Sequence, residues 1–187
     1  MKRLILLVAI AILCVANGFS QSVVMGMNIE TTNTKHVAMM AKKGYRPIEK
    51  NKGMYVYKVT FADFKDCLFT VDFNTLKNDS ITSVSIKFPH KSPDDDEWKV
   101  LFPLQRQLKE KYGAWSYKKE WWDGLSLHEP KVGSRTYTFE NAPNIELKRY
   151  WELDKDGREI GKDTNYVILI YSTKAEKYTK TEPSSDL

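Results

Sequence analysis

Four aromatic side chains within eight positions, Trp115, Tyr117, Trp121 and Trp122, are the residues of this chain best suited to chemistry, and the chemistry they suit is contact. Trp and Tyr join a large apolar ring to one polar handle. They are therefore favoured where one surface meets another, and stacked rings also hold the faces of sugars. Side chains alternate along an extended strand. Trp115, Tyr117 and Trp121 then share one face with Lys119, while Trp122 takes the other with Lys118 and Glu120. Adjacent tryptophans on opposite faces cannot both enter a one-sided core. Either a second layer or neighbouring unit covers both faces, or one ring, or the Asp123-Gly124 corner, lies at the surface. These four residues form the candidate partner-binding set, with a protein as first partner and a glycan as second.

Other constellations point away from catalysis. Asp94, Asp95, Asp96 and Glu97 form the densest acidic run. Carboxylates can hold a hard cation, but Ser92-Pro93 before them marks a helix start, where the helix dipole favours negative charge. Asp154, Asp156 and Gly157 open like a calcium loop, yet its twelfth position is Asn165 where a glutamate is required, so a hairpin turn is the better reading. His36, His90 and His128 are far apart and form no metal-type pair. The chain lacks a Gly-x-Ser-x-Gly elbow and a phosphate-cradling glycine loop. No catalytic, cofactor or metal residue is expected. A hydrolase built on two carboxylates is the enzyme alternative, because such pairs meet only in space.

The chain has 187 residues, and its first twenty read as an export signal. Lys2 and Arg3 precede an apolar run from Leu4 to Val15, and Asn17, Gly18 and Ser20 give a small, polar exit. The run is too short for a membrane span, which needs about 20 apolar residues. Cys14 follows Ile12 and Leu13, a poor context for a lipid anchor. Cleavage after Ser20 starts the mature chain at Gln21, with no stable membrane insertion, and places it in a periplasm or outside the cell. Removing Lys2 and Arg3 with the signal leaves 27 basic and 24 acidic residues. Both signs are mixed along the chain, which is unlike a nucleic-acid binder. Cys67 is then the single cysteine. It alternates with Phe69, Val71 and Phe73, as a buried, inert thiol would.

These residues need elements to position them. Residues 21–30 read as an extended lead-in. Asn33 or Thr34 caps a short helix with Val37, Met40 and Ala41 on one face, closed by Gly44. Strand patterns follow at Arg46–Lys50, Met54–Phe61, Asp66–Phe73 and Ile81–Phe88, with a turn at Asn78-Asp79-Ser80. A second helix runs from about Asp95 to Tyr112 and ends at Gly113. Leu101, Leu104, Leu108 and Tyr112 form its stripe, with Trp98 one turn earlier. Pro103 implies a kink or a separate turn before it. Strands resume at Ala114–Trp121, Ser134–Glu140, Ile145–Leu153 and Asn165–Thr173. The class is α+β: antiparallel sheet packed by two helices over one domain, 21–173, with 31–88 and 95–173 as candidate halves and 174–187 as a polar tail.

The text GYRPIEKNKGMYVYKVTF, then strands, then EWKVLFPLQRQLKEKYG resembles a group of exported, functionally uncharacterised α+β proteins of Bacteroidetes-type bacteria. The alternation is also similar to the tandem helix-plus-sheet pattern of the β-lactamase inhibitor protein and of small outer-membrane-assembly lipoproteins. AKKGY at 41–45 and KEKYGA at 109–114 place two glycines 69 residues apart, as a diverged repeat would. The resemblance implies an exported binding or inhibitor-like module that recognises a cell-envelope protein. It carries over no functional residue.

Overall fold

Apolar residues at every second position dominate this chain, and such a period puts them on one side of a sheet. The structure, a computed structural model, describes residues 23–89, 92, 96–122, 131–154, 158–160 and 165–174. Strands β3 (Pro47–Asn51), β4 (Met54–Phe61), β5 (Phe64–Asn74) and β6 (Ser80–Lys87) form one antiparallel meander. Strands β7 (Trp115–Trp122), β8 (Lys131–Phe139) and β9 (Ala142–Leu153) form another. Strand β11 (Tyr166–Ser172) joins them by pairing with both β6 and β9, and the short β10 (Glu159–Ile160) pairs back on β9. The result is a single nine-stranded sheet that runs through both candidate halves.

Register explains the core. Tyr57, Phe69, Ile86, Leu169, Leu147 and Tyr137 are successive partners across six strands. None of the six is more than 3 % exposed. Each large side chain removed from water contributes roughly 1.5–3 kcal/mol, so this row is a principal source of stability. Cys67 and Val71 flank Phe69 on the same face of β5, and all three are fully buried. Cys67 is a free thiol whose Sγ lies 3.4 Å from the Phe64 carbonyl oxygen, and burial pushes it up to about 11. That agrees with an inert thiol.

Helix α1 (Asn33–Lys42) is capped by Thr32, whose Oγ1 accepts from the Lys35 amide, one residue before the expected cap. Its buried residues are Asn33, His36 and Met40, and Ala41 is exposed. The inward face is thus turned from the expected Val37–Met40–Ala41 set. The cause is His36, whose neutral ring stacks on Phe69 at 5.8 Å and meets Tyr57 edge-on at 6.4 Å. Gly44 closes the helix with φ +84 as expected, and the Tyr45 amide donates to the Met40 carbonyl.

Before α2 (Phe102–Tyr112), residues Asp96–Leu101 form a π-helical turn, and Pro103 stands in the first turn of α2. The π turn runs directly into α2 through Leu101, which is itself helical, and Pro103 falls in the first α-helical turn, where proline is tolerated. Leu101, Leu104, Leu108 and Tyr112 are buried, but Trp98 is 71 % exposed. The wider π winding takes Trp98 off the stripe to which α-helical spacing assigned it. The lead-in also differs. Within the described residues, β1 (Val23–Val24) and β2 (Met27–Asn28) form a hairpin turning at Met25 and Gly26, and Val24, Met27 and Ile29 join the core.

Candidate partner-binding site at the edge strand

Strand β7 is the last in the sheet, and its pairing among the described residues is with β8 alone. An outermost strand keeps one row of backbone N–H and C=O groups unpaired by its own sheet. The opposite edge, β3, is short and begins with proline. β7 is the longer edge and contains no proline.

The core row described above extends one step further, because Tyr137 pairs with Tyr117. Burial ends there: Tyr117 is 60 % exposed, and Trp115, two residues earlier on the same face, is 36 % exposed. The rings are ordered against each other. Trp115 lies edge-on to Tyr137 at 5.1 Å, and Tyr117 lies 6.0 Å from Tyr137 and 6.1 Å from Trp115. Tyr112 of α2 touches the same edge of the core through Phe139. The structure therefore brings Trp115 and Tyr117 together as a partly exposed aromatic ladder. Trp121 pairs with Gly133 and Trp122 with Val132, so the backbone pairing continues to the end of the strand. Their side chains, and the Asp123-Gly124 corner, lie outside the described residues.

Sequence reasoning passed over a second group beside the ladder. Lys119, Arg135 and Arg149 are direct partners across β7, β8 and β9 and share its face. The next level holds Trp121, Gly133 and Trp151. Gly133 is needed there because a Cβ would stand 2.5 Å from Trp151 Cε2. The Trp151 ring lies across the glycine and is 4 % exposed. Arg149 Cζ lies 5.4 Å from that ring centroid and Lys119 Nζ 5.7 Å. Such cation–ring contacts are attractive. Glu97 of the π turn places Oε1 3.2 Å from Arg149 Nη1. Arg135 Nη1 donates to the Tyr137 hydroxyl at 3.3 Å, and that bond chiefly raises the guanidinium above its ordinary range, with Glu97 and Tyr117 adding to it against the opposing effect of burial. The signal was present in the text as Gly133-x-Arg135-x-Tyr137-x-Phe139 and Leu147-x-Arg149-x-Trp151, but only register aligns the two arginines.

The other face of this end of the sheet carries a shallow depression of about 380 Å³, lined by Ser116, Lys118, Glu120, Thr136, Glu146 and Lys148 among others. Its carboxylates are engaged: Glu120 with Lys118, and Glu146 with Lys148 at 2.8 Å. Register sets Glu120 level with Ser134 and Tyr150, two strands and four residues from Glu146. At about 4.8 Å per strand and 3.4 Å per residue, their backbones stand roughly 17 Å apart.

The remaining sites from sequence can also be placed. His36 is buried in the core, and no group of three or more His, Cys, Asp or Glu among the described residues is arranged to hold a metal. His90, His128, Asp94 and Asp95 lie outside the described residues, as do Asp156 and Gly157. Asp154 behaves as a turn residue: its Oδ1 accepts from the Arg158 amide, and its amide donates to the Arg158 carbonyl. No described helix is long and apolar enough to cross a membrane. Comparison with family models, with curated proteins and with solved structures finds no match to this chain.

Proposed function

We propose that this chain is an exported, non-enzymatic binding or inhibitor-like module that recognises a protein of the cell envelope through the β7 edge. One observation carries the reading: the buried row of the sheet ends at the exposed Tyr117, with the exposed Trp115 beside it, on a strand whose outer side no described strand covers. Exposed aromatic rings fixed by rigid neighbours lose little entropy on contact, which is the property of interface anchors. The signal-like residues 1–20 support delivery to a periplasm or beyond. The strand order is mirrored about the β6–β11 pair, with a helix before each meander. That symmetry supports a tandem of two helix-plus-sheet units and the resemblance noted above.

The test is a cross-linked pull-down from native envelope extract with residues 21–187, run beside Trp115→Ala/Tyr117→Ala. A partner held by the parent and reduced at least tenfold in a variant that still folds supports the module. Equal capture by both, or none by either, overturns it and directs attention to a glycan ligand or to carboxylate hydrolysis.

A further inference from the structure

The row Lys119–Arg135–Arg149 is unusual on physical grounds. Directly opposed side chains of a sheet stand about 4.5–5.5 Å apart at Cβ, and like charges placed so are destabilising. This fold nevertheless aligns three cations across three adjacent strands on one face. Glu97 offsets part of that charge at the Arg149 end. At the centre, Arg135 Nε is buried and has no hydrogen-bond partner among the described residues. An unmet donor on a charged group is costly, and a carboxylate is the group that relieves it. The row lies between Tyr117 and Tyr137 on one side and Trp151 on the other, and its outer member is an exposed side chain of the edge strand.

We infer that the partner presents an extended acidic segment, added as a strand along the β7 edge, with carboxylates directed to Lys119 and Arg135. The inference rests on the binding reading above and specifies its ligand. Strand addition supplies backbone hydrogen bonds to the open edge, and alternate side chains of the added strand come to lie beside Trp115, Tyr117 and Lys119. Arg135 is half-buried one strand in from the edge, so its guanidinium must turn outward to give Nε to a carboxylate.

The probe is a capped peptide alternating glutamate and serine, about eight residues long to match one strand, titrated into residues 21–187 and followed by tryptophan fluorescence. Binding that weakens with salt is expected. Lys119→Gln and Arg135→Gln should each lower affinity about tenfold, the loss of one charge-assisted contact. Lys42→Gln, an exposed control on α1, should leave it unchanged. Lys119 is exposed, so its variant keeps the test valid if Arg135→Gln does not fold. No peptide binding, equal binding by all variants, or binding of a sulfated glycan in place of the peptide overturns the inference. A blank titration together with a pull-down partner lost on Trp115→Ala/Tyr117→Ala removes the acidic segment and leaves the binding reading standing.

Discussion

His36 shows most clearly what a single residue does to this fold. Its ring is fully buried between α1 and the sheet, stacked on Phe69, and neither ring nitrogen has a hydrogen-bond partner among the described residues. Burial disfavours the charged form and pushes it down from 6.5 to about 4. The sign follows. Above pH 6.5 the histidine is neutral in both states and stability does not depend on it. Between pH 6.5 and 4 the unfolded chain binds a proton that the folded chain refuses, so stability falls as pH falls. The slope is about 1.4 kcal/mol per pH unit, or roughly 3 kcal/mol over the window. Urea midpoints of the parent and of His36→Leu at pH 7 and pH 5 check this. The parent should lose stability that the variant keeps, and parallel loss in both proteins would count against the assignment. At this scale the sequence was legible where alternation spoke, as for Cys67, Phe69 and Val71. It was silent where partners come from distant strands. Arg135 and Arg149 are fourteen positions apart and meet only because β8 and β9 pair in that register.

Elements were legible in existence and less so in their ends. All the strands expected between Arg46 and Thr173 are present, because a period of two is hard to disguise. The π turn was not legible, since its signal, a proline one residue inside the following helix, also fits a kink. Two glycines that close the helices make a quantitative comparison. Gly44 has φ +84, and an added Cβ would meet nothing within 4 Å. Gly113 has φ +85 and ψ −163, and an added Cβ would stand 2.8 Å from Asn141 Nδ2. The first conformation costs an L-residue about 1–2 kcal/mol, while the second belongs to a region almost confined to glycine, with strain of about 1–3 kcal/mol before any crowding. Gly113→Ala should therefore destabilise more than Gly44→Ala. Thermal or urea unfolding of the two variants decides it, and equal losses would contradict the conformational account.

For the whole molecule, the decisive fact is where burial stops. A core row crosses six strands and reaches the solvent at Tyr117, on the edge that no described strand covers. The fold class was legible because helix and strand periods alternate twice along the chain. The continuous sheet was not, because nothing local states that β11 pairs with both β6 and β9. The sequence places the exposed ring at Trp121 or Trp122, adjacent tryptophans on opposite faces, or exposure at the Asp123-Gly124 corner; the exposed rings among the described side chains of β7 are Trp115 and Tyr117. The central claim is that this edge is the contact surface. The most direct measurement places a photo-crosslinking residue at Tyr117 and, in a second protein, at Leu76, which is 91 % exposed on the β5–β6 turn at a distance in the topology. Both proteins are then exposed to native envelope. Contact through this edge gives a discrete covalent product from position 117 and none from position 76. Identical products from the two positions, or a product from position 76 alone, would contradict it.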